Sequence, residues 1–547
     1  MRTKDLIAKR ARREQKRARE QRNIEKWQTE KTPEKEAFIL PSTSFNSSVL
    51  SELKHLPTHI SNEEIMRRRD MRHTLTFTID PTDAKDFDDA LSFSVLATGN
   101  YQIGIHIADV THYVQEDTAI DKEAYQRGTS IYLVDKVIPM LPERLCNEIC
   151  SLRPNEEKLC MSVILEMDAQ AKVIKHKICR TVISSDYRLT YELAQRYIDN
   201  QQENTAQENN KDLAEALHIL NGLAKLLRAN RFRHGAINFE SPEVRFELNE
   251  ANEPIAIHFH KPMDSNHLIE EFMLLANRIV ATEIGKPKIK NKEQKRGKEE
   301  VKEAKPFVYR IHDVPDPEKL QKLGNFIRQF GFHLRTSTKR SVQNKHINSL
   351  LDSCQGTNSQ ALIETLTIRS MAKAEYSTSN IGHYGLAFPY YTHFTSPIRR
   401  YPDMMVHRLL SRYLLQAKAT CRHDNETLEE ACTHCSDMEQ VAQMAERDSI
   451  KEMQARWMSN RIGEEYDGVI SGVTEFGLFV QLKDTLTEGL VPIRTIQPHD
   501  YMQYDEQNFS LIAARSGKTY TLLDKVRVRV TRVDVEHKKI DFVLVED

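Results

Sequence analysis

The sequence predicts an α+β protein: a large domain of mixed sheet and helix, followed by a small closed β-barrel. Three observations carry this. Alternating apolar and polar residues mark short strands between Leu75 and Pro142, helical periodicity takes over from Leu213 to Gln416, and short strands broken by glycine return after Ile462. A chain of 547 residues has material for about three or four domain-sized units.

Taken in order, residues 1–28 are rich in Ala, Arg, Lys, Glu and Gln and lack an apolar stripe, which predicts a solvated basic helix. From Met1 to Lys26 there are eleven Lys or Arg against four Asp or Glu, so this tail serves either solubility or contact with a polyanion. Residues 29–60 read as a linker or the remnant of a preceding module. Ser61-Asn62-Glu63-Glu64 has the form of a capping box, predicting a short helix through Asp70 that opens the large domain, 61–461.

Leu75 to Ile79 and Ala90 to Val95 read as strands on either side of an aspartate-rich loop. Tyr101 to Val110 alternates and is expected beside that loop, bringing Asp109 near it. Thr129 to Leu133 and Val137 to Pro142 are further extended segments. Strands are then expected to give way to helices over Leu213–Phe232, His267–Thr282, Pro317–Phe330, Asn358–Lys373 and Tyr401–Gln416. Residues 285–305 are lysine-rich and predict a disordered surface insertion. Leu428 to Met453 reads as one long amphipathic helix with Cys432 and Cys435 on one face. That reading is preferred to a zinc site because no second well-spaced pair accompanies them. The barrel occupies 462–547.

Net charge is −1, so the overall balance argues neither for nor against a nucleic-acid partner and local clusters must carry that argument. No apolar run reaches the roughly eighteen residues of a membrane span, and the charged N-terminus lacks the apolar region of a signal peptide. Eight cysteines without paired spacing fit reduced thiols in a cytoplasmic protein.

The stretch with chemistry is Asp80-Pro81-Thr82-Asp83-Ala84-Lys85-Asp86-Phe87-Asp88-Asp89. Five aspartates stand against one lysine, and carboxylates this close raise one another's pKa unless a positive charge sits among them. A hard divalent cation such as Mg²⁺ answers that need. A Ca²⁺ EF-hand is excluded, since no register supplies its glycine and closing glutamate.

This motif resembles the catalytic signature of the RNB (ribonuclease II/R) superfamily, and the resemblance runs from about Leu56 to the C-terminus. It implies an RNB-type catalytic domain followed by an S1 domain, an OB-type barrel. The implied activity is a Mg²⁺-dependent, processive 3′→5′ exoribonuclease that threads single-stranded RNA and releases 5′-mononucleotides. Mn²⁺ is an alternative metal, and two metal ions would suit phosphodiester hydrolysis.

The resemblance places metal binding and catalysis on Asp80, Asp86, Asp88 and Asp89, with Asp83 outside the set. A second signature, Phe394-Thr395-Ser396-Pro397-Ile398-Arg399-Arg400-Tyr401-Pro402-Asp403, places a guanidinium near the scissile phosphate. Arg399 is the matching residue and Arg400 the alternative; from the residues alone, the pair reads as a helix-start salt bridge. Tyr132 and Phe239 match the aromatic clamp on the terminal bases. Tyr191 and Glu270 match contacts to the terminal sugar, where a 2′-hydroxyl distinguishes RNA from DNA. Glu446 matches a substrate contact. On the barrel, Phe476, Phe479, His499 and Tyr501 offer stacking surfaces.

The family's N-terminal cold-shock barrels and lysine-rich tail are expected to be absent, since fewer than eighty residues precede the loop and the chain stops at Asp547. RNA capture is then expected to rest on the S1 barrel, on the narrow single-strand channel that the resemblance implies, and on the basic N-terminus. The expected partner is single-stranded RNA, including 3′ overhangs of structured RNA, bound by a monomer away from membranes. The rival expectation is a non-catalytic RNA-binding scaffold of the same fold.

Overall fold

The structure, a computed structural model, describes residues 40–200, 210–239, 243–286, 305–337, 340–357, 359–415, 425–496, 500–505 and 509–545. The basic stretch 1–28, residues 287–304 of the lysine-rich insertion and His499 lie outside these residues. Residues 43–547 form one compact unit; of the other, residues 1–42, only 40–42 are described, and they carry no helix or strand.

The large domain is built on strands β1 (Arg69–Asp70), β2 (Thr76–Asp80), β3 (Asp89–Val95), β4 (Tyr101–Ala108), β7 (Glu157–Met167), β8 (Val173–Ser184) and β9 (Tyr187–Thr190), with a separate two-stranded ribbon of β5 (Ile131–Tyr132) and β6 (Val137–Ile138). The sheet order is β1-β8-β7-β4-β3-β2-β9, antiparallel within and parallel at both edges. Ile103, Ile105, Val163 and Leu165 from its centre share one core with Phe272, Leu275, Met404 and Leu409 from the covering helices. Burial of that apolar area is the main stabilising term.

A polar stitch crosses this apolar sheet. His106 lies 2.8 Å from both Ser92 Oγ and Ser162 Oγ, and Ser162 is 2.7 Å from Thr181 Oγ1, so four neighbouring strands share one hydrogen-bond chain. Gly104 must lack a side chain, because a Cβ there would collide with Ser92 and the His106 ring.

The helices expected at 213–232 and 267–282 are found as Lys211–Arg233 and Asp264–Gly285. Tyr401–Leu410 is α-helical and continues as a π-turn, Ser411–Leu415. Three expectations are corrected. Ser61 does cap a helix, accepting from the Glu64 N–H at 3.2 Å, but the helix ends at Met66 because Arg69–Asp70 pairs with β8. Inside the supposed linker, Ser47–Lys54 forms a helix whose Val49 is fully buried in the main core. Strands also persist beyond residue 142: β7 is a nearly continuous apolar run, buried on both faces, and so shows no alternation to read.

The helix Asn425–Ser459 exceeds the predicted span, and Cys432 and Cys435 face the core as buried thiols. Its end enters the second core, where Met458 packs among Ile470, Val480, Val528 and Phe542 of the barrel. The barrel closes in the order Glu465–Thr474, Gly477–Leu482, Glu488–Pro492, Lys539–Leu544, Lys525–Asp534. At its tight turn Gly477 has φ +145°, and a Cβ would strike the Val491 carbonyl. No helix among the described residues is long and apolar enough to cross a membrane.

Candidate active site

The sheet register gathers the acidic loop at one end. β2 ends on Asp80 and β3 begins on Asp89, which pairs with Ile107 next to the end of β4. Between them, Arg188 from β9 donates to the carbonyls of Pro81 (2.9 Å) and Thr82 (2.7 Å), and the Asp88 carbonyl accepts from the Ala108 N–H at 2.9 Å. A loop of like charges is thereby held by the strands on both sides.

Its carboxyls are short of positive charge. Burial and neighbouring Asp89 push Asp80 up to about 8, and burial pushes Asp89 up to about 6 against the pull of Arg399 and Arg400. Asp88 is 4% exposed and rises well above the carboxylate range, chiefly by burial, although Arg399 and the Ile398 N–H oppose it. Its Oδ1 accepts from that N–H at 2.8 Å, while Oδ2 has no hydrogen-bond partner and faces Arg399 Nε at 3.7 Å.

The second signature wraps around Asp88. Asp403 Oδ1 accepts from the Ser396 N–H (2.8 Å), Asn277 Oδ1 from the Phe394 N–H (2.8 Å), and His407 Nε2 bonds the Phe394 carbonyl (2.8 Å). These anchors fix the turn that presents Arg399, whose Nη2 donates to Ser396 Oγ at 3.0 Å. Arg400 takes the other expected role, a helix-start ion pair: it meets Asp403 at 2.8 Å, and that partner holds it charged despite its burial.

Residues far apart in sequence meet here. Tyr132 donates its hydroxyl to Asp86 Oδ2 at 3.1 Å and its backbone N–H to Glu446 Oε1 at 3.1 Å. Glu446 therefore holds the strand carrying Tyr132. Tyr191 starts the helix after β9, and burial, Asp89 and Asp80 all raise its phenol. Glu270 sits instead beside Arg228 (3.3 Å), Arg231 (3.1 Å) and His267 (3.2 Å); the His267 hydrogen bond and the two guanidiniums pull its carboxyl down against burial. Phe239 packs at the rim of a separate helical core with Ile237 and Tyr384. On the barrel, Phe476 is 67% exposed, while Phe479 is half-buried and outside the core cluster; Tyr501, 73% exposed, lies off the barrel strands, just before Met502–Asp505 of a separate three-stranded sheet. Arg188 and Asn277 escaped the sequence reading, since each supports a backbone segment remote in sequence and carries no motif of its own; Asp403 lay inside the second signature, but its role as the anchor of Ser396 and partner of Arg400 was not read from it.

The donor set suits a hard divalent cation. It is all oxygen, Asp80 Oδ2 and Asp88 Oδ2 are buried without hydrogen-bond partners, and the carboxyls resist ionisation for want of a counter-charge. Among the described residues no group of three or more His, Cys, Asp or Glu side chains is placed to hold a metal ion by itself; a Mg²⁺ ion here would need water and phosphate to complete its shell.

Comparison with known proteins agrees with this arrangement. The RNB domain family matches residues 68–416 and the S1 RNA binding domain family residues 459–544. Ribonuclease R of Aquifex aeolicus is 38% identical over 509 residues, 93% of this chain and 69% of that protein. Ribonuclease R 1 of Lactococcus lactis is 38% identical over 91% of this chain, which spans only 59% of that relative's length. The structure of Mycoplasma genitalium RNase R in complex with ribose methylated single-stranded RNA superposes with a TM-score of 0.81 at 27% identity, covering 92% of this chain and 76% of that one. With the RNB family matched over more than half its length around the carboxylates and Arg399, the chain belongs to the ribonuclease R family of RNB-domain proteins.

Proposed function

We propose that the chain is a Mg²⁺-dependent, processive 3′→5′ exoribonuclease that threads single-stranded RNA and releases 5′-mononucleotides. The observation that carries this reading is the buried, unpartnered Asp88 oxygen facing Arg399, with Tyr132 bonded to the neighbouring Asp86. Asp80, Asp86, Asp88 and Asp89 would hold the metal, which supplies water activation and Lewis-acid stabilisation of the phosphoryl oxygens.

The chain's own groups do the rest. Arg399, steadied by Ser396, offers fixed donors to the charge that develops on the phosphate, a geometry lysine does not reproduce. Tyr132 presents its ring beside Asp86 and stacks the terminal base, with Phe239 as the second stacking surface. Tyr191 contacts the terminal ribose; Glu270, already engaged by Arg228, Arg231 and His267, contributes less. Phe476, Phe479 and Tyr501 hold the incoming strand by π-faces common to all four bases, so little sequence preference follows.

The test is a 5′-labelled single-stranded RNA incubated with the protein or its Asp88→Asn variant, with Mg²⁺ or EDTA. Stepwise loss from the 3′ end, abolished by EDTA and by the substitution, is expected. Binding without cleavage by the unmodified protein in Mg²⁺ overturns the reading.

A further inference from the structure

Residues 84–88 lie in neither helix nor strand, yet the backbone through Asp86 and Asp88 is fixed peptide by peptide. The Lys85 carbonyl accepts from Ser151 Oγ at 2.8 Å, and the Phe87 N–H donates to the same oxygen at 3.0 Å. These groups belong to the two peptide planes that flank Asp86. The Phe87 carbonyl then accepts from the Leu152 N–H at 3.0 Å, and the Asp88 carbonyl from the Ala108 N–H at 2.9 Å. Of the four restraints, only the Ser151 hydroxyl comes from a side chain, and it supplies two bonds where a sheet would supply a neighbouring strand. Ser151 is 0% exposed and sits between Cys150 and Leu152, both buried in the main core, so its own position is rigid.

We infer that Ser151 is a positioning residue for the metal site: its hydroxyl sets the angle between the Asp86 and Asp88 side chains by fixing both peptides around Asp86. The inference rests on the proposed metal-dependent reading. A hydroxyl is required because one group must donate to a carbonyl and accept from an N–H at once, which neither a methyl nor an ammonium does. Removing it leaves the buried Phe87 N–H and the part-buried Lys85 carbonyl without that partner, and the loop is expected to shift to satisfy them. Partners that orient metal ligands typically change metal affinity or activity about 10–100-fold when removed.

The experiment measures Mn²⁺ binding by electron paramagnetic resonance, without RNA, in the full chain and in Ser151→Ala, Ser151→Cys and Ser151→Thr. The same proteins are tested for turnover against Mg²⁺ concentration, for single-stranded RNA affinity in EDTA, and for thermal melting. Ser151→Ala is expected to weaken Mn²⁺ binding about tenfold and raise the Mg²⁺ needed for half-maximal turnover by a similar factor. RNA affinity in EDTA should stay within about twofold, a split that general loosening of the fold would not produce. Ser151→Thr, which keeps the hydroxyl, is expected to retain Mn²⁺ affinity, and Ser151→Cys, a poorer hydrogen-bonding group, to fall between. Should Ser151→Ala fail to fold, the Thr and Cys variants decide. Equal Mn²⁺ affinity in unmodified, Ala and Cys proteins overturns the role of Ser151 while leaving the metal reading intact. Absence of saturable Mn²⁺ binding by the unmodified chain overturns the metal reading itself and the inference with it.

Discussion

Asp88 and Asp109 lie at the same end of the central sheet, joined through the hydrogen bond from the Ala108 N–H to the Asp88 carbonyl, and both are almost wholly buried. Their electrostatics are opposite. Asp109 meets Arg68 at 2.8 Å, with Arg180 at 3.9 Å; burial pushes its carboxyl up, and these two guanidiniums bring it below its ordinary value. Asp88 has only the more distant Arg399 and stays high. Burial therefore does not separate the proposed catalytic aspartate, Asp88, from the ion-paired Asp109. The missing counter-charge does, since a fold has no structural reason to bury a carboxylate it leaves unbalanced.

The strongest test of this contrast removes each charge in turn. Asp88→Asn is expected to lower turnover about 10³-fold, roughly 4 kcal/mol of transition-state stabilisation, with RNA binding retained. Single-turnover cleavage beside a filter-binding titration checks it, and an active variant would erase the distinction. On the other side, Arg68→Ala should destabilise the fold by about 3 kcal/mol by stranding Asp109. Turnover per folded molecule should hold, as measured by urea unfolding alongside activity.

The adjacent arginines sharpen the same comparison. Arg399→Lys is expected to lose turnover about 30-fold, roughly 2 kcal/mol, because an ammonium cannot supply the planar donor pair. Arg400→Lys should act on melting temperature, since its partner is Asp403. A smaller effect is expected in the S1 domain. Tyr501→Ala or Phe476→Ala should weaken single-stranded RNA binding by about 1–2 kcal/mol and leave turnover at saturating RNA unchanged.

The least local prediction concerns pH. Burial, with Arg69, holds His106 neutral and lowers its pKa to about 3. The unfolded chain takes up that proton near pH 6.5 or so, so stability is full above that value and falls as pH drops toward 3. Asp109, depressed in the fold, adds a further loss only as pH falls below its unfolded value of about 3.9. Asp80, Asp88 and Asp89, raised in the fold, act in the opposite sense over the same range, so the His106 contribution is read as a difference: in urea titrations between pH 8 and 4, His106→Asn should lose less stability on acidification than the unmodified protein. An unchanged slope in that variant would place the acid sensitivity elsewhere.

The sequence by itself made the family legible, and with it the candidate carriers of its chemistry. The Asp80–Asp89 run, the Phe394–Asp403 motif and the glycine-punctuated strands after Ile462 are local patterns, legible because charge, period and turn residues are written in consecutive positions. It also brought Tyr132, Tyr191 and Glu446 forward, but only the fold says why they belong together: Glu446 grips the backbone of the strand that presents Tyr132, 314 residues away. Tertiary structure alone decided that Arg399 and not Arg400 faces Asp88, because which of two adjacent guanidiniums is neutralised depends on Asp403 and the turn held by Asn277. It alone revealed β7 as a central strand, since burial on both faces removes the alternation that marks a strand. And it alone distinguished Asp88 from Asp109, because the charge that a carboxylate lacks or finds lies on another segment of the chain.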